Sequence, residues 1–213
     1  MKRAHLSLHE TKKMFLFLSE KMIASKDILT QADKVIGDGD HGIGMAIGFE
    51  TVQKELTDKE FQSLGALMKT IGFALMNSIG GASGAIFGTL FLGAASKTQD
   101  QKILDAKALS LILINGLESV KKRGKAKPGD KTMVDALEPA ALVSETTSQL
   151  SLEEALLAVI GAAKEGMEST KEMVATIGRA KSLGERSLGH PDPGAISIHL
   201  IFTFMLEYVV LVD

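Results

Sequence analysis

Three aspartates lie close together near the beginning of the sequence, and their spacing is the strongest indication of chemistry in it. Asp33, Asp38 and Asp40 fall within eight positions, and one glycine separates the last two. Two carboxylates about 4 Å apart repel each other by about 4 kcal/mol at an effective dielectric constant of about 20. A hard divalent cation removes this repulsion, and Mg²⁺ keeps part of its coordination sphere for water and phosphate oxygens. The spacing therefore favours a magnesium site that serves a phosphorylated ligand.

Other interpretations of this segment start from its glycines. The segment is also typical of a solvated turn in which Asp40 caps the following helix. The spacing Gly37-x-Gly39-x-x-Gly42 matches the dinucleotide-binding fingerprint, but that motif follows a β-strand, and residues 27–35 predict a short helix. Two aspartates inside the loop would also repel a bare pyrophosphate. The solvated turn stays open as an alternative, whereas the dinucleotide site is excluded.

Two further hypotheses concern the same segment: an EF-hand calcium-binding loop and a functional role for His41. An EF-hand loop starting at Asp38 would place Phe49, and not a glutamate, at its twelfth position, which excludes this class of site. His41 is compatible with a phosphocarrier, with a residue that orients a ligand beside the metal, or with an ordinary first residue of a helix. The nearby aspartates would repel a phosphoryl group on the ring unless a metal intervened, so the phosphocarrier role is disfavoured.

Three further glycine-rich segments precede predicted helices, at residues 80–84, 123–133 and 184–195. Backbone N–H groups at a helix N-terminus bind anions with the help of the helix dipole, and small residues let them approach closely. Each segment also has a simpler interpretation: a tight turn between helices, a solvated run of cations, and a helix cap. The second is not a Walker loop, because the order Gly-Lys-Ser/Thr is absent.

The elements that position these loops are predicted to be helices, because nearly every segment has helical periodicity and no run alternates as a strand does. Capping boxes at Ser7 and Ser151 mark two helix starts. Asp192 followed by Pro193 marks a third. We predict one helix from residue 7 to beyond residue 22, and others over residues 27–34, 41–56, 59–78, 82–96, 105–122, 128–148, 151–181 and 192–212.

Eight or nine helices with short connections favour antiparallel neighbours. In such an arrangement, helix starts that are separated by an even number of helices lie at the same end of the molecule. The glycine-rich segments can therefore meet at one site.

Composition restricts the class of protein. The sequence has 213 residues, of which 45% are hydrophobic, so we expect one globular domain over residues 1–213. A net charge of −2 argues against nucleic acid as the main partner. The absence of cysteine excludes disulfides and thiolate metal sites and favours a cytoplasmic location. Residues 1–10 contain no apolar core of the signal-peptide type.

One uncharged stretch is long enough to cross a membrane. Residues 71–96 contain no charged side chain, but Asn77, Ser78 and the pair Gly80-Gly81 interrupt them midway. We predict two buried helices joined by a glycine turn, and no membrane partner.

The glycine-rich segments together resemble the nucleotide-binding L subunits of dihydroxyacetone kinases (DhaL), over nearly the whole sequence. The resemblance is carried by residues 36–42, 80–84, 124–133 and 183–195. It implies an all-α fold, a barrel of eight antiparallel up-and-down helices. It also implies a nucleotide, ADP or ATP, and two Mg²⁺ ions at one end of that barrel.

The resemblance also implies roles for individual residues. The metal ligands would be Asp33, Asp38 and Asp40. The nucleotide contacts would be His41, Gly42, Ile43, Gly44, Ala82, Ser83, Gly124, Met133, Arg179, Asp192, Pro193 and Gly194. No side chain is assigned as a catalytic acid or base, because metal and positioning carry phosphoryl transfer. Arg179 rests on the resemblance alone, since a cation near the end of a helix would otherwise be expected in solvent.

The implied activity is that of a glycerone kinase subunit. The terminal phosphoryl group would pass to dihydroxyacetone held on a separate K subunit, so the active complex would form between chains. A phosphocarrier M subunit of the phosphoenolpyruvate phosphotransferase system would re-phosphorylate ADP in place. A homodimer is compatible with this scheme. The alternatives are an ATP-dependent kinase subunit for another small ketose such as erythrulose, and a nucleotide-binding regulatory module without turnover.

Overall fold

Side chains cap the first turn of most helices in the computed structural model, which describes residues 2–212. Ser7 and Ser151 each form the expected capping box with the glutamate three positions later. The Asp192 carboxylate accepts a hydrogen bond of 2.8 Å from the backbone N–H of Ala195, and Pro193 occupies the first helical position. These three predicted helix starts are confirmed.

Residues 2–212 form nine α-helices and one short β-ribbon. The helices are α1 (Leu8–Ala24), α2 (Lys26–Ile36), α3 (His41–Thr57), α4 (Leu64–Ser78), α5 (Gly81–Ala95), α6 (Ala106–Gly124), α7 (Met133–Thr146), α8 (Leu152–Ser169) and α9 (Pro193–Leu211). The ribbon pairs β1 (His5–Ser7) with β2 (Ile103–Asp105) in antiparallel orientation. The fold is all-α, as predicted.

Eight of the nine helices of the described chain close into a barrel. Each helix from α3 to α8 packs against the next one, α9 packs against α1, and α1 packs against α3. The side chains that fill the interior are large and fully buried, among them Phe49, Phe87 and Met45. The short helix α2 lies outside this ring, against α3 and α9.

Alternate helices of the barrel begin at the same end. The first residues of α3, α5, α7 and α9 line one cleft, as the even spacing of their starts requires. The opposite end is held by the β-ribbon and by hydrogen bonds between connections, such as the one of 2.8 Å from Leu64 N to Gln101 O. The predicted meeting of the glycine-rich segments is confirmed.

Three predicted helix bounds are wrong, and local caps explain two of them. The helix predicted from residue 59 begins at Leu64, because the Ser63 hydroxyl accepts a hydrogen bond from Ala66 N and caps it there. The helix predicted from residue 128 begins at Met133, after a capping box between Thr132 and Asp135.

The helix predicted over residues 151–181 ends at Ser169. The chain continues in two 3₁₀ stretches, Thr170–Glu172 and Arg179–Ser187, on the way to α9. Gly178 lies between them with a φ of 72°, a left-handed conformation that a helix does not contain. The strands were not predicted because three residues are too few to show alternation.

One helix of residues 2–212 is long and apolar enough to cross a membrane, and it is α9. Its most apolar stretch has a mean hydropathy of 1.8, and half of that stretch is buried inside the protein. Ile198, Phe202 and Met205 belong to the barrel interior, which accounts for its apolar character. The uncharged residues 71–96 form two helices, α4 and α5, as predicted.

Candidate functional site

The three aspartates meet at the end of the barrel where α3 begins. Asp33 lies in the last turns of α2, and Asp38 and Asp40 lie in the loop that leads into α3. One carboxylate oxygen from each residue is within 4.8 Å of the others. Asp33 is buried, whereas Asp38 and Asp40 are exposed. An all-oxygen donor set with one open side fits Mg²⁺, which retains positions for water and phosphate.

Local backbone contacts fix the buried member of this cluster. The backbone N–H of His41, the first in α3, donates a hydrogen bond of 3.1 Å to Asp33 Oδ2. The other oxygen, Oδ1, approaches the backbone of Gly37 so closely that a Cβ atom there would lie 2.1 Å away. A glycine is therefore required at position 37, and the Asp33 carboxylate is held at the N-terminus of α3.

Arg179 supplies the positive charge beside this cluster. Its guanidinium group forms an ion pair with the Asp38 carboxylate, and its Nη2 lies 3.9 Å from Asp40 Oδ2. Partial loss of solvent and the neighbouring Asp38 raise the pKa of Asp40 above its ordinary value, and Arg179 opposes this increase. The carboxylates thus repel one another, and a cation stabilises them.

The cleft beside the aspartates brings most of the predicted residues together. It has a volume of about 220 Å³, and its lining contains Asp33, Asp38, Asp40, His41, Ala82, Ser83, Met133, Arg179, Asp192, Pro193 and Gly194. A second, more apolar cavity of about 380 Å³ adjoins it and contains Gly124. Ala82 and Met133 line both, so the cleft beside the aspartates and the more apolar cavity are continuous.

Gly42, Ile43 and Gly44 do not line the cleft, although they were predicted to contact the nucleotide. They form the first turn of α3, where Gly44 N donates a hydrogen bond of 2.9 Å to Asp40 O. Gly42 packs against α2, and the Ile43 side chain is exposed. The backbone N–H groups of Gly42 and Ile43 have no partner inside the helix, so these two residues offer backbone donors rather than side chains, whereas the N–H group of Gly44 is already bonded.

The His41 ring is directed into the protein. It is 6% exposed, and its Nε2 lies 2.8 Å from Ser197 Oγ in α9. Burial lowers the pKa of His41, an effect larger than the increase caused by Asp33. The ring therefore joins the beginnings of α3 and α9 in its neutral form, and this placement argues against a phosphocarrier role.

Sequence reasoning missed several residues that line the cleft. Lys131 belongs to the run of cations between α6 and α7, which was interpreted as a phosphate contact or as a solvated charge. Its side chain is instead buried, and its ammonium group donates to the backbone carbonyls of Thr170 and His190. The Thr132-x-x-Asp135 capping box is the signal that would have placed Lys131 in the loop.

Three neighbours of Arg179 were missed because they were assigned to a long helix. Ile177, Gly178 and Ala180 line the cleft beside Arg179. The glycine and the β-branched residues around it lower helix propensity, and they are the signal that would have ended α8 earlier.

Comparison with known proteins identifies the fold. A family model described as the DAK2 domain matches residues 35–207, most of the sequence. The chain belongs to the DAK2 family. The DAK2 match includes Asp38 and Asp40, the first residues of α3, α5, α7 and α9, and Arg179, whereas Asp33 lies just before it.

Relatives of this DAK2 chain include DhaL subunits of similar length. It is 43% identical over 190 residues to the ADP-binding subunit DhaL of PEP-dependent dihydroxyacetone kinase 1 from Listeria innocua, a match that covers 88% of this chain and 90% of the relative. It is 41% identical to the corresponding subunit from Escherichia coli, with 87% of each chain covered. The resemblance to L subunits is therefore confirmed.

Larger kinases contain a similar domain. The chain is 37% identical to L-erythrulose kinase of Pectobacterium atrosepticum, of which the match covers 31%. The crystal structure of the dihydroxyacetone kinase of C. freundii in its native form aligns with a TM-score of 0.73 at 26% identity, covering 97% of this chain and 35% of that one. The same kinase in complex with AMP-PNP and Mg²⁺ aligns with a TM-score of 0.72 at 27% identity, covering 92% and 33%. This chain thus spans about a third of the length of these kinases.

Proposed function

We propose that this protein is the nucleotide-binding phosphotransferase subunit of a dihydroxyacetone kinase. One observation carries the proposal: an aspartate cluster, the N-termini of four helices and an apolar cavity meet at one end of the barrel. Relatives whose length this chain nearly covers are named as ADP-binding subunits of such kinases. The acceptor would be a hydroxyl group, as expected for a kinase of this class.

The shape of the site supports an orientation for the nucleotide. The apolar cavity next to Gly124 and Met133 would take the base. The phosphates would then extend toward the first turns of α3, α5 and α9, whose N–H groups and dipoles favour anions. Asp33, Asp38 and Asp40 would hold two Mg²⁺ ions. These carboxylates would hold the metal beside the phosphates, where its positive charge would offset the negative charge that develops during transfer.

The residues of this chain position the reactants and do not exchange protons with them. Arg179 is exposed and close to the cluster, so it is available to a phosphate group once a metal occupies the aspartates. The exposed side of Asp38 and Asp40 is the face from which a second protein chain would present its acceptor. We therefore propose a K subunit that holds dihydroxyacetone at this face.

The names of the relatives favour one source of phosphate. Those of similar length are PEP-dependent or PTS-dependent subunits. We accordingly propose that a phosphocarrier M subunit re-phosphorylates ADP while it stays bound. A cytoplasmic location follows from this scheme, and assembly into a homodimer is compatible with it.

Nucleotide retention is the decisive measurement. The protein is purified, dialysed and denatured, and the released nucleotide is identified by chromatography. We expect close to one ADP per chain in the presence of Mg²⁺, and loss of ADP after a chelator is added. A protein that binds neither ADP nor ATP at millimolar Mg²⁺ would contradict the proposal.

A second candidate is a kinase subunit for another small ketose. Two erythrulose kinases match this chain at 37% and 35% identity. The nucleotide site would be the same, and the acceptor would differ. Product analysis with dihydroxyacetone and with erythrulose, each with its matching acceptor subunit, distinguishes the two. Absence of transfer with every donor and acceptor would instead indicate a regulatory module.

A further inference from the structure

Lys131 is one of the largest fully buried side chains of the described residues. It is 1% exposed, and its backbone adopts a left-handed conformation with a φ of 61° just before the cap of α7. Its ammonium group donates to two backbone carbonyls, those of Thr170 and His190. A buried ammonium is costly unless such partners are present. The contact is therefore specific, and not an accident of packing.

The two carbonyls mark the ends of one segment. We call residues 170–192, which connect α8 to α9, the strap. Asp192 N donates a hydrogen bond of 2.9 Å to Thr170 Oγ1, and Gly189 N donates one of 2.8 Å to Lys171 O. These bonds hold the two ends of the strap together, and the ammonium group of Lys131 binds a carbonyl at each end.

The strap carries part of the candidate site. Ile177, Gly178, Arg179 and Ala180 line the cleft, and the strap ends at Asp192, which caps α9. Midway along it, Thr176 Oγ1 donates a hydrogen bond of 2.6 Å to Asp130 Oδ1 in the same loop as Lys131. The position of Arg179 relative to the aspartates therefore depends on how the strap is attached to this loop.

Lys131 suits this attachment for a chemical reason. An ammonium group has three donors and no acceptor, so it can satisfy two carbonyls at once. Burial lowers the pKa of Lys131, and the fields of Asp192 and Asp135 oppose that change and favour the charged form. A methionine of similar length would fill the space and remove both of these hydrogen bonds, leaving the Thr170 carbonyl with its 3.3 Å bond from Met173 N.

We propose that Lys131 is a positioning residue, which fastens both ends of the strap to the loop before α7 and thereby places Arg179 and the first turn of α9 at the nucleotide end. The expected effect of Lys131 on ADP binding rests on the proposed function, whereas its expected effect on the strap does not.

The experiment compares Lys131→Met with Lys12→Met in the otherwise intact protein. Lys12 is a matched control, because it is 7% exposed and its ammonium group donates a hydrogen bond of 2.8 Å to a backbone carbonyl, that of Lys59, far from the cleft. Three quantities are measured: the melting temperature, amide hydrogen exchange without nucleotide, and the affinity for ADP in the presence of Mg²⁺.

We expect Lys131→Met to accelerate exchange of the Gly189 and Asp192 amides at least tenfold and to weaken ADP binding at least tenfold. Lys12→Met should lower the melting temperature and change neither quantity. A merely structural role predicts that the two variants behave alike at equal loss of stability. Equal weakening of ADP binding in both variants, or a strap in Lys131→Met that exchanges as in the wild type, would overturn the inference.

A second variant covers the case in which Lys131→Met does not fold. Thr170→Val removes the hydroxyl that accepts from Asp192 N and keeps the side-chain shape. It should accelerate strap exchange and weaken ADP binding in the same direction, and a wild-type result in both would overturn the inference. If the wild-type protein binds no ADP, the proposed function falls, while the exchange comparison still tests the strap.

Discussion

At the scale of single residues, Arg179 acts as the counter-ion of an aspartate cluster. Its guanidinium group pairs with Asp38, the residue proposed as a metal ligand, and it is 69% exposed. A metal that binds Asp38 has to displace this contact. We therefore expect Arg179 to compete with the metal when no nucleotide is bound, and to stabilise the complex when a phosphate is present.

Replacing Arg179 by glutamine tests this competition. We expect Mg²⁺ alone to bind about two- to fivefold more tightly, because an exposed ion pair is worth about 0.5–1 kcal/mol, and Mg·ADP to bind more weakly. Calorimetric titrations with Mg²⁺ and with Mg·ADP measure both. Lys181→Gln, an exposed cation of the same strap, is the control and should change neither. Weaker binding of Mg²⁺ alone to Arg179→Gln would show that no competition exists.

Asp38→Asn tests the metal assignment. The substitution removes an anionic oxygen ligand at nearly constant size, so we expect Mg·ADP affinity to fall at least about tenfold while helicity is retained. Circular dichroism and equilibrium dialysis are the measurements. Asp27→Asn, on an exposed position of α2, should bind as the wild type does. Unchanged Mg²⁺ and ADP affinity in Asp38→Asn would remove Asp38 from the ligand set.

The roles of individual residues could be predicted where they depend on residues that are close together in the sequence. Asp33, Asp38 and Asp40 stand out because like charges so close together need a cation. Arg179 came from family resemblance, because residues 151–181 were predicted as one helix and a cation near its end would be expected in solvent. The burial of Lys131 was not predictable, because its partners are carbonyls 39 and 59 positions further along the sequence.

At the scale of elements, the contact between α7 and α8 depends on a proline and a glycine. Pro139 has no N–H group, so the Asp135 carbonyl one turn earlier lacks its helical donor. Gly166 of α8 lies against that carbonyl, and a Cβ atom at this position would be 2.1 Å from the oxygen. The close approach of the two helices thus requires a residue without a side chain.

Gly166→Ala and Gly161→Ala are predicted to change stability in opposite directions. The first should lower the free energy of unfolding by about 1–3 kcal/mol, as in overpacked cores. Gly161 lies in the same helix, and a Cβ atom added there would meet no other atom within 4 Å, so alanine should raise the free energy of unfolding by about 0.5–1 kcal/mol. Urea denaturation of both variants measures the difference. A gain of equal size in both would mean that helix propensity, and not packing, decides.

Helix starts were predicted correctly where the capping residues were recognised in the sequence. A cap is formed by residues within one turn, and Ser7, Ser151 and Asp192 therefore mark their helices correctly. The end of α8 depends on the long-range bonds of the strap, including those of Lys131. The helical periodicity of residues 151–181 gives no indication of these hydrogen bonds.

At the scale of the whole molecule, the stability of the protein is expected to depend on pH through Asp192. Burial raises the pKa of Asp192 from 3.8 to about 7, an increase opposed by its hydrogen bond from Ala195 N. Between these two values the folded protein binds a proton that the unfolded chain has lost. This contribution to the free energy of unfolding is therefore present below about pH 4 and declines as the pH rises toward 7.

Asp192→Asn removes this dependence and keeps a good helix cap. We expect the variant to equal the wild type near pH 4 and to exceed it above pH 7, by at most about 4 kcal/mol, since the carboxylate keeps some contact with solvent. Denaturation curves at several pH values measure the difference. A constant difference across this range would contradict the raised pKa.

The barrel arrangement could be predicted from the number of helices and the shortness of their connections. Short connections make neighbours antiparallel, and the even spacing of the glycine-rich starts brings them together. Closure of α9 onto α1 was not foreseeable from periodicity, because it joins helices from the two ends of the sequence.

Because neighbouring helices of the barrel run in opposite directions, the connections fall into two groups, one at each end. The two groups differ in how freely their sequence and length can change. The connections before α3, α5, α7 and α9 form the cleft, while those before α4, α6 and α8 lie at the other end, a helix length away. Lengthening one of the latter, for example after the exposed Asp58, leaves every cleft residue in place. The three connections before α4, α6 and α8 can therefore diverge or receive a label or fused domain without altering the chemistry at the opposite end.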